Sequence, residues 1–187
     1  MTDRLAWRQP TPADARALGL MHHRAWVDTY APLLPAGWFD AHGPEEQIEV
    51  WRQRLAEPLG PDVSRVAVFA PDGAVAGWAV AGPGRVNVGV PPVREHALWA
   101  LYVARPLLGT GLGQQLLEWA VGDRPAELWT ARGNGRAVAF YRRNGFTEDG
   151  AAVEDGHLPL VEVRMVRRAG AARALHPGRG ASVASVG

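Results

Sequence analysis

Residues 4–8 alternate polar and apolar side chains, the period of a half-buried strand. The Thr11-Pro12-Ala13-Asp14 run then reads as a helix start, with Thr11 as cap and Pro12 where its missing N–H costs nothing. Ala17, Leu18, Met21 and Ala25 come next at helical spacing, and the helix should end before Pro32. A second helix is expected from Pro44 to Glu57, with Ile48, Trp51 and Leu55 on one face. Val63–Ala70 and Ala74–Ala81 flank Pro71-Asp72-Gly73, which predicts an antiparallel hairpin; 82–92 reads as a Gly/Pro-rich loop. The apolar run Ala97–Val103 reads as a strand buried on both faces. Beyond it the pattern gives a glycine-rich turn at 107–113 and a helix over 112–121. A strand at 127–130, a helix over 136–144, a strand from Phe146 to Asp149 and a closing strand over 160–167 complete the order. Residues 1–168 are therefore expected to form one domain, and the Gly/Ala/Ser/Arg-rich stretch 169–187 a disordered tail.

Composition narrows the chemistry. All 20 basic residues are arginine, so no lysine can serve as a phosphate-loop cation, Schiff base or general base. There is no cysteine, hence no thiol nucleophile, disulfide or thiolate metal site. Ser64, the one serine before the tail, is not in a nucleophile elbow. His22 and His23 point about 100° apart on a helix, and His42, His96 and His157 form no zinc spacing, so no metal is expected. A net charge of +1 gives no general pull toward nucleic acid. With no apolar run of membrane-spanning length and no signal-like N-terminus, a cytoplasmic domain without membrane contact is expected.

Gly109, Gly111 and Gly113 precede a helix and can present several N–H groups at its positive end, a nest for phosphate oxygens that needs no cationic side chain. A purely structural turn would use the same residues. The order Gly-Thr-Gly-Leu-Gly lacks the spacing of a dinucleotide-binding fingerprint.

Together with the strand before it and the segments downstream, this turn resembles the GCN5-related N-acetyltransferases, a likeness that covers most of residues 4–167. The carrying motifs are ALWALYV (97–103), LLGTGLGQQLL (107–117), ELWT (127–130) and NGRAVAFYRRNGF (134–146). The resemblance implies an α/β (α+β) fold: a mixed, mostly antiparallel sheet of six to seven strands, splayed in the middle and flanked by about four helices. It implies acetyl-CoA in the wedge, with its pyrophosphate on the amides of Gly109, Thr110, Gly111, Leu112, Gly113 and Gln114, beside Leu108. Its pantetheine arm would run along Leu101, Tyr102 and Val103 and past Asn134, Ala137 and Phe140. Tyr141 matches the position whose hydroxyl meets the leaving thiolate; it could instead be a core aromatic, as Asn134 could be a helix cap.

Two departures from the family pattern stand out. Leu108 replaces the usual Gln or Arg, and Ala97 replaces a Glu that commonly acts as base. The nearest substitutes are Glu95, on the face of position 97 by strand alternation, and His96, with the better intrinsic pKa. Trp26, Tyr30, Trp78 and Trp99 are the candidate walls of an acceptor pocket, aromatic surfaces suited to a cationic amine. The expected reaction is acetyl transfer to a primary amine of a small molecule or peptide, by direct attack in a ternary complex. The alternative is a degenerate coenzyme A-binding sensor or interaction module. A homodimer would be in keeping with the family.

Overall fold

The computed structural model describes residues 5–154 and 159–170; His157 and the tail from 171 onward lie outside them. Seven strands form one sheet: β1 (Ala6–Arg8), β2 (Ser64–Phe69), β3 (Val75–Pro83), β4 (His96–Val103), β5 (Ala126–Ala131), β6 (Thr147–Glu154) and β7 (Val161–Arg167), in the order β1-β2-β3-β4-β5-β7-β6. Every neighbouring pair is antiparallel except β4 and β5. The helices are α1 (Ala15–Tyr30), the one-turn α2 (Trp38–Ala41), α3 (Pro44–Ala56), α4 (Leu112–Val121) and α5 (Gly135–Arg143).

The predicted first helix begins as a 3-10 turn, Pro12–Asp14, in which the Asp14 carboxylate accepts from the Thr11 amide (2.7 Å) and from Arg8 (2.7 Å). The sequence pattern showed no sign of α2, since four residues carry no helical period. The hairpin forms as expected. Gly73 takes a left-handed φ of 82°, and the Asp72 carboxylate accepts from the Ala74 amide (3.0 Å).

The sheet separates two cores. On one face, α4 and α5 pack Leu116, Leu117 and Val138 against Val66, Val68 and Leu98, with Phe146 between α5 and β6 joining them. On the other, α1 and α3 pack Leu18 and Trp51 against Ala67, Phe69 and Trp78. Gly19 lets α1 and α3 close on each other, for a Cβ there would stand 2.5 Å from the Ile48 Cα. Glu127 on β5 and Arg167 on β7 are structural. Buried Glu127 accepts from the Val93 and Arg94 amides, and buried Arg167 donates to the Gly122 and Arg124 carbonyls behind α4.

The sheet opens at its centre. β4 and β5 pair only at Ala97↔Glu127 and Leu98↔Leu128. Opposite that point the β3–β4 register skips Trp99, so Leu98 and Leu101 face the same core although three residues apart. A bulge of this kind bends its strand and raises its local twist, which turns β4 away from β5. The expectation that residues 97–103 are buried on both faces is thereby corrected. Ala97 and Leu98 are buried, but the strand is only half-buried from Trp99 onward because its neighbour has left.

Candidate active site

Beyond the bulge, the outer edge of β4 has no strand beside it. The Ala104 amide bonds the Ala76 carbonyl on β3 (2.9 Å), and this sets the phase of the ladder. Tyr102 pairs toward β3, whereas the N–H and C=O of Leu101 and Val103 point into the gap. At the mouth of the gap, Gly109 and Gly111 take φ of 80° and 93°, values open to glycine and costly to other residues. The turn's own bonds occupy the Thr110 amide (to Leu107) and the Gln115 amide (to Gly111). Among the described residues, the amides of Gly109, Gly111, Leu112, Gly113 and Gln114 have no acceptor. Five free donors at the positive end of α4 suit a diphosphate.

These features line a cavity of about 580 Å³ that runs from α4 through the gap to the α1 side of the sheet. Leu101, Tyr102, Val103, Leu108, Gly109, Gly111, Gly113 and Gln114 line it, as do Asn134, Ala137, Phe140 and Tyr141. Thr110 and Leu112 do not. The Thr110 hydroxyl turns back to the Leu107 carbonyl (2.7 Å), and the Leu112 side chain is in the core, leaving its amide for the nest. The Asn134 carboxamide caps α5 by accepting from the Ala137 amide (3.1 Å). Arg105, Arg136 and Arg143 also line the cavity; Arg105 is paired with Asp28 (2.9 Å) and Arg136 reaches the Thr29 hydroxyl (3.3 Å).

All three tyrosines of the chain meet here: Tyr30 from the end of α1, Tyr102 from β4 and Tyr141 from α5. Burial pushes the Tyr141 phenol above its ordinary pKa, and the charge Tyr30 would carry pushes it further. Tyr141 is thus a protonated donor at neutral pH. The Tyr102 hydroxyl accepts from Trp26 Nε1 (2.9 Å) and is hydrogen-bonded to Tyr30; its pKa is raised by burial above all.

The other sequence candidates fall elsewhere. Glu95 is exposed and outside the cavity; its carbonyl accepts from the Gly84 amide, which closes the base of the loop. His96 is also outside, its Nε2 donating to the Ala120 carbonyl at the end of α4 (3.1 Å), with burial lowering its pKa. Of the four aromatic candidates, Tyr30 and Trp99 line the cavity. Trp26 stands behind Tyr102, and Trp78 is a core residue, 1% exposed, stacked on Tyr102 and edge-on to Trp51. Sequence reasoning missed Trp129 and Glu162, which line the cavity from β5 and β7. Glu162 accepts from the Asn87 amide group (3.1 Å), and its only signal in the sequence was a carboxylate within an alternating apolar strand. Among the described residues, no group of three His, Cys, Asp or Glu could hold a metal, and no helix is long and apolar enough to cross a membrane.

The model of the acetyltransferase (GNAT) family matches residues 23–146. The chain belongs to this family. It is an acyl-CoA-dependent acetyltransferase with acetyl-CoA as co-substrate, and the unpartnered amides and open strand edge are the groups that fit such a molecule. The fold agrees. PaiA N-acetyltransferase from Thermoplasma acidophilum, solved in complex with coenzyme A, is 18% identical with a TM-score of 0.61, over 88% of this chain and 98% of that one. The histone acetyltransferase HPA2 and related acetyltransferase from Corynebacterium glutamicum is 16% identical with a TM-score of 0.62, over 89% and 97%. An acetyltransferase from Thermus thermophilus is 23% identical with a TM-score of 0.55, over 87% and 97%. No curated protein matches the sequence.

At the family's usual Gln or Arg position, Leu108 lines the cavity and is 37% exposed, room enough for a longer side chain. Leu108→Arg should tighten coenzyme A binding about three- to tenfold by adding a charge-assisted donor, as read by calorimetry. The gain should shrink at high salt.

Proposed function

We propose that this acetyltransferase passes the acetyl group directly to a primary amine, both substrates being bound at once. The supporting observation is the gap itself, with pairing confined to two residue pairs and the groups of Leu101 and Val103 facing it. An extended pantetheine chain would complete the edge of β4 as a strand would, and this would carry the thioester to the three tyrosines.

An amine of pKa ~10 is almost wholly protonated at pH 7, and making it neutral costs about 4 kcal/mol. Two carboxylates line the cavity, Asp28 and Glu162. Glu162, which lines the cavity from β7 and accepts from Asn87, acts through water as the base in this reading, in place of Glu95 or His96. The nitrogen bonds to the carbonyl carbon as the carbon–sulfur bond breaks. The ammonium gives one proton to Glu162 through water before attack; once bonded to the carbonyl carbon the nitrogen loses its second proton to solvent, and the sulfur takes the Tyr141 proton, which solvent then replaces. The Val103 amide, which faces the gap while that of Tyr102 is turned to β3, would steady the charge on the carbonyl oxygen. A covalent acetyl-cysteine route has no residue to use.

Initial rates measured against both substrates should give intersecting lines, with free thiol released only when an amine is present. Parallel lines would contradict direct transfer. Glu162→Gln should slow turnover of alkylamines at least tenfold but spare hydroxylamine, which is already neutral at pH 7 and needs no base. Equal loss on both would remove Glu162 from that role.

A further inference from the structure

A second cavity, of about 340 Å³, lies beside α1, α2 and α3, and none of the residues lining it lines the transfer cavity. Its volume is that of a small-molecule site. His23 and Trp26 reach it from one side of α1, and Gln47 and Arg54 from one side of α3, at spacings that put each pair on a common helix face. Trp38 and Phe39 of the one-turn α2 close it.

The walls are flat rings held in place. The Trp38 ring stacks on His42, with centroids 4.4 Å apart and planes 22° apart, and the Phe39 ring stands edge-on to His23 at 5.8 Å. His23 Nε2 donates to the His42 carbonyl (3.1 Å), and His42 Nδ1 to the Glu46 carboxylate (3.2 Å), which ties the turn to both α1 and α3. Trp26 is fixed by its own donor, bonded to the Tyr102 hydroxyl (2.9 Å). Since α2 buries none of its residues, its two large rings serve the cavity and not the core.

One polar group selects what fits. Gln47 lines the cavity and is only 9% exposed, yet its carboxamide has no hydrogen-bond partner among the described residues. Leaving such a group unpaired is costly, and a carboxamide offers a donor beside an acceptor. The charged residues on the lining are one of each sign, Glu46 and Arg54, so a neutral ligand is favoured. We propose that this cavity binds a neutral, flat aromatic ligand whose edge carries one donor beside one acceptor. The ring lies among Trp26, Trp38 and Phe39, and the edge pairs with the Gln47 carboxamide. An aryl carboxamide and a pyrimidine lactam share that edge.

The test titrates the full chain with benzamide, nicotinamide and uracil by ligand-observed NMR. Cyclohexanecarboxamide has the edge without the flat ring, and toluene the ring without the edge. At least one flat amide should bind at least tenfold more tightly than both of these controls. Benzamide or nicotinamide as the tightest assigns an aryl carboxamide, and uracil a base-like heterocycle. The preference should fall at least tenfold in Gln47→Leu and in Trp38→Ala, and hold in Arg52→Gln on the exposed side of α3. Trp38→Ala, on a turn that buries nothing, keeps the test valid should Gln47→Leu disturb α3. Saturating coenzyme A should leave the affinity within about twofold, because the two cavities share no lining residue. Flat amides that bind no better than either control, a preference that survives both site variants, or displacement by coenzyme A overturns the inference, and each leaves amine acetylation standing.

Discussion

Tyr141→Phe should lower kcat at least a hundredfold and leave the affinity for coenzyme A within about twofold. The substitution deletes one oxygen from a ring that stays in place, because Tyr141 packs edge-on against Phe140 and Phe146 in the core beneath α5. Burial keeps its hydroxyl protonated at neutral pH, so in the direct-transfer reading it is present as a hydrogen-bond donor to the sulfur as the carbon–sulfur bond breaks. The free amides at the start of α4 belong to another helix and would keep their positions. Single-turnover thiol release, together with calorimetric titration of coenzyme A, separates the two quantities. A variant with wild-type turnover would return Tyr141 to the role of a core aromatic.

A second large effect concerns stability. His22 is 4% exposed and ringed by Trp26, Trp51, Trp78 and Tyr102, with no partner for its Nδ1. Burial pushes its pKa down to about 3 from an ordinary 6.5, with smaller contributions from Arg54 and His23. The folded protein therefore keeps the ring neutral where the unfolded chain protonates it. Its contribution is fully present above pH 6.5 and is lost as pH falls toward about 3, at about 1.4 kcal/mol per pH unit and up to about 5 kcal/mol in all. Urea midpoints should fall steadily below pH 6.5, and His22→Phe should lack that slope whatever its stability at about pH 7.5. Asp14, held down to about 2 by Arg8, adds acid sensitivity only in the lower part of the range, below its ordinary 3.8. A slope that persists undiminished in His22→Phe would assign it elsewhere.

What could be read in advance was whatever local chemistry determines. The Pro71-Asp72-Gly73 turn and the Asn134 cap each act within a few residues, and each is where the pattern put it. The nest was legible for the same reason. What was not legible depends on one extra residue. Alternation along 95–103 assumes an unbroken strand, yet Trp99 is skipped in the register and its ring lines the cavity, whereas Glu95 lies before β4 begins and stays on the surface. Trp78 looked as suitable a wall as Trp99, and only its place against Trp51 and Tyr102 puts it in the core. Glu162 reaches the cavity through packing between segments far apart in the chain, which spacing does not encode.

The two residue pairs that join β4 to β5 have a mechanical consequence. They act as a short rivet between two half-sheets, and in the direct-transfer reading the remaining length of the seam would be lent by the donor molecule. Loading it should stitch the halves into one cooperative unit, so the protein's resistance to heat should climb with donor concentration by the logarithm of its occupancy. Each round of turnover would then loosen and re-tighten the whole molecule.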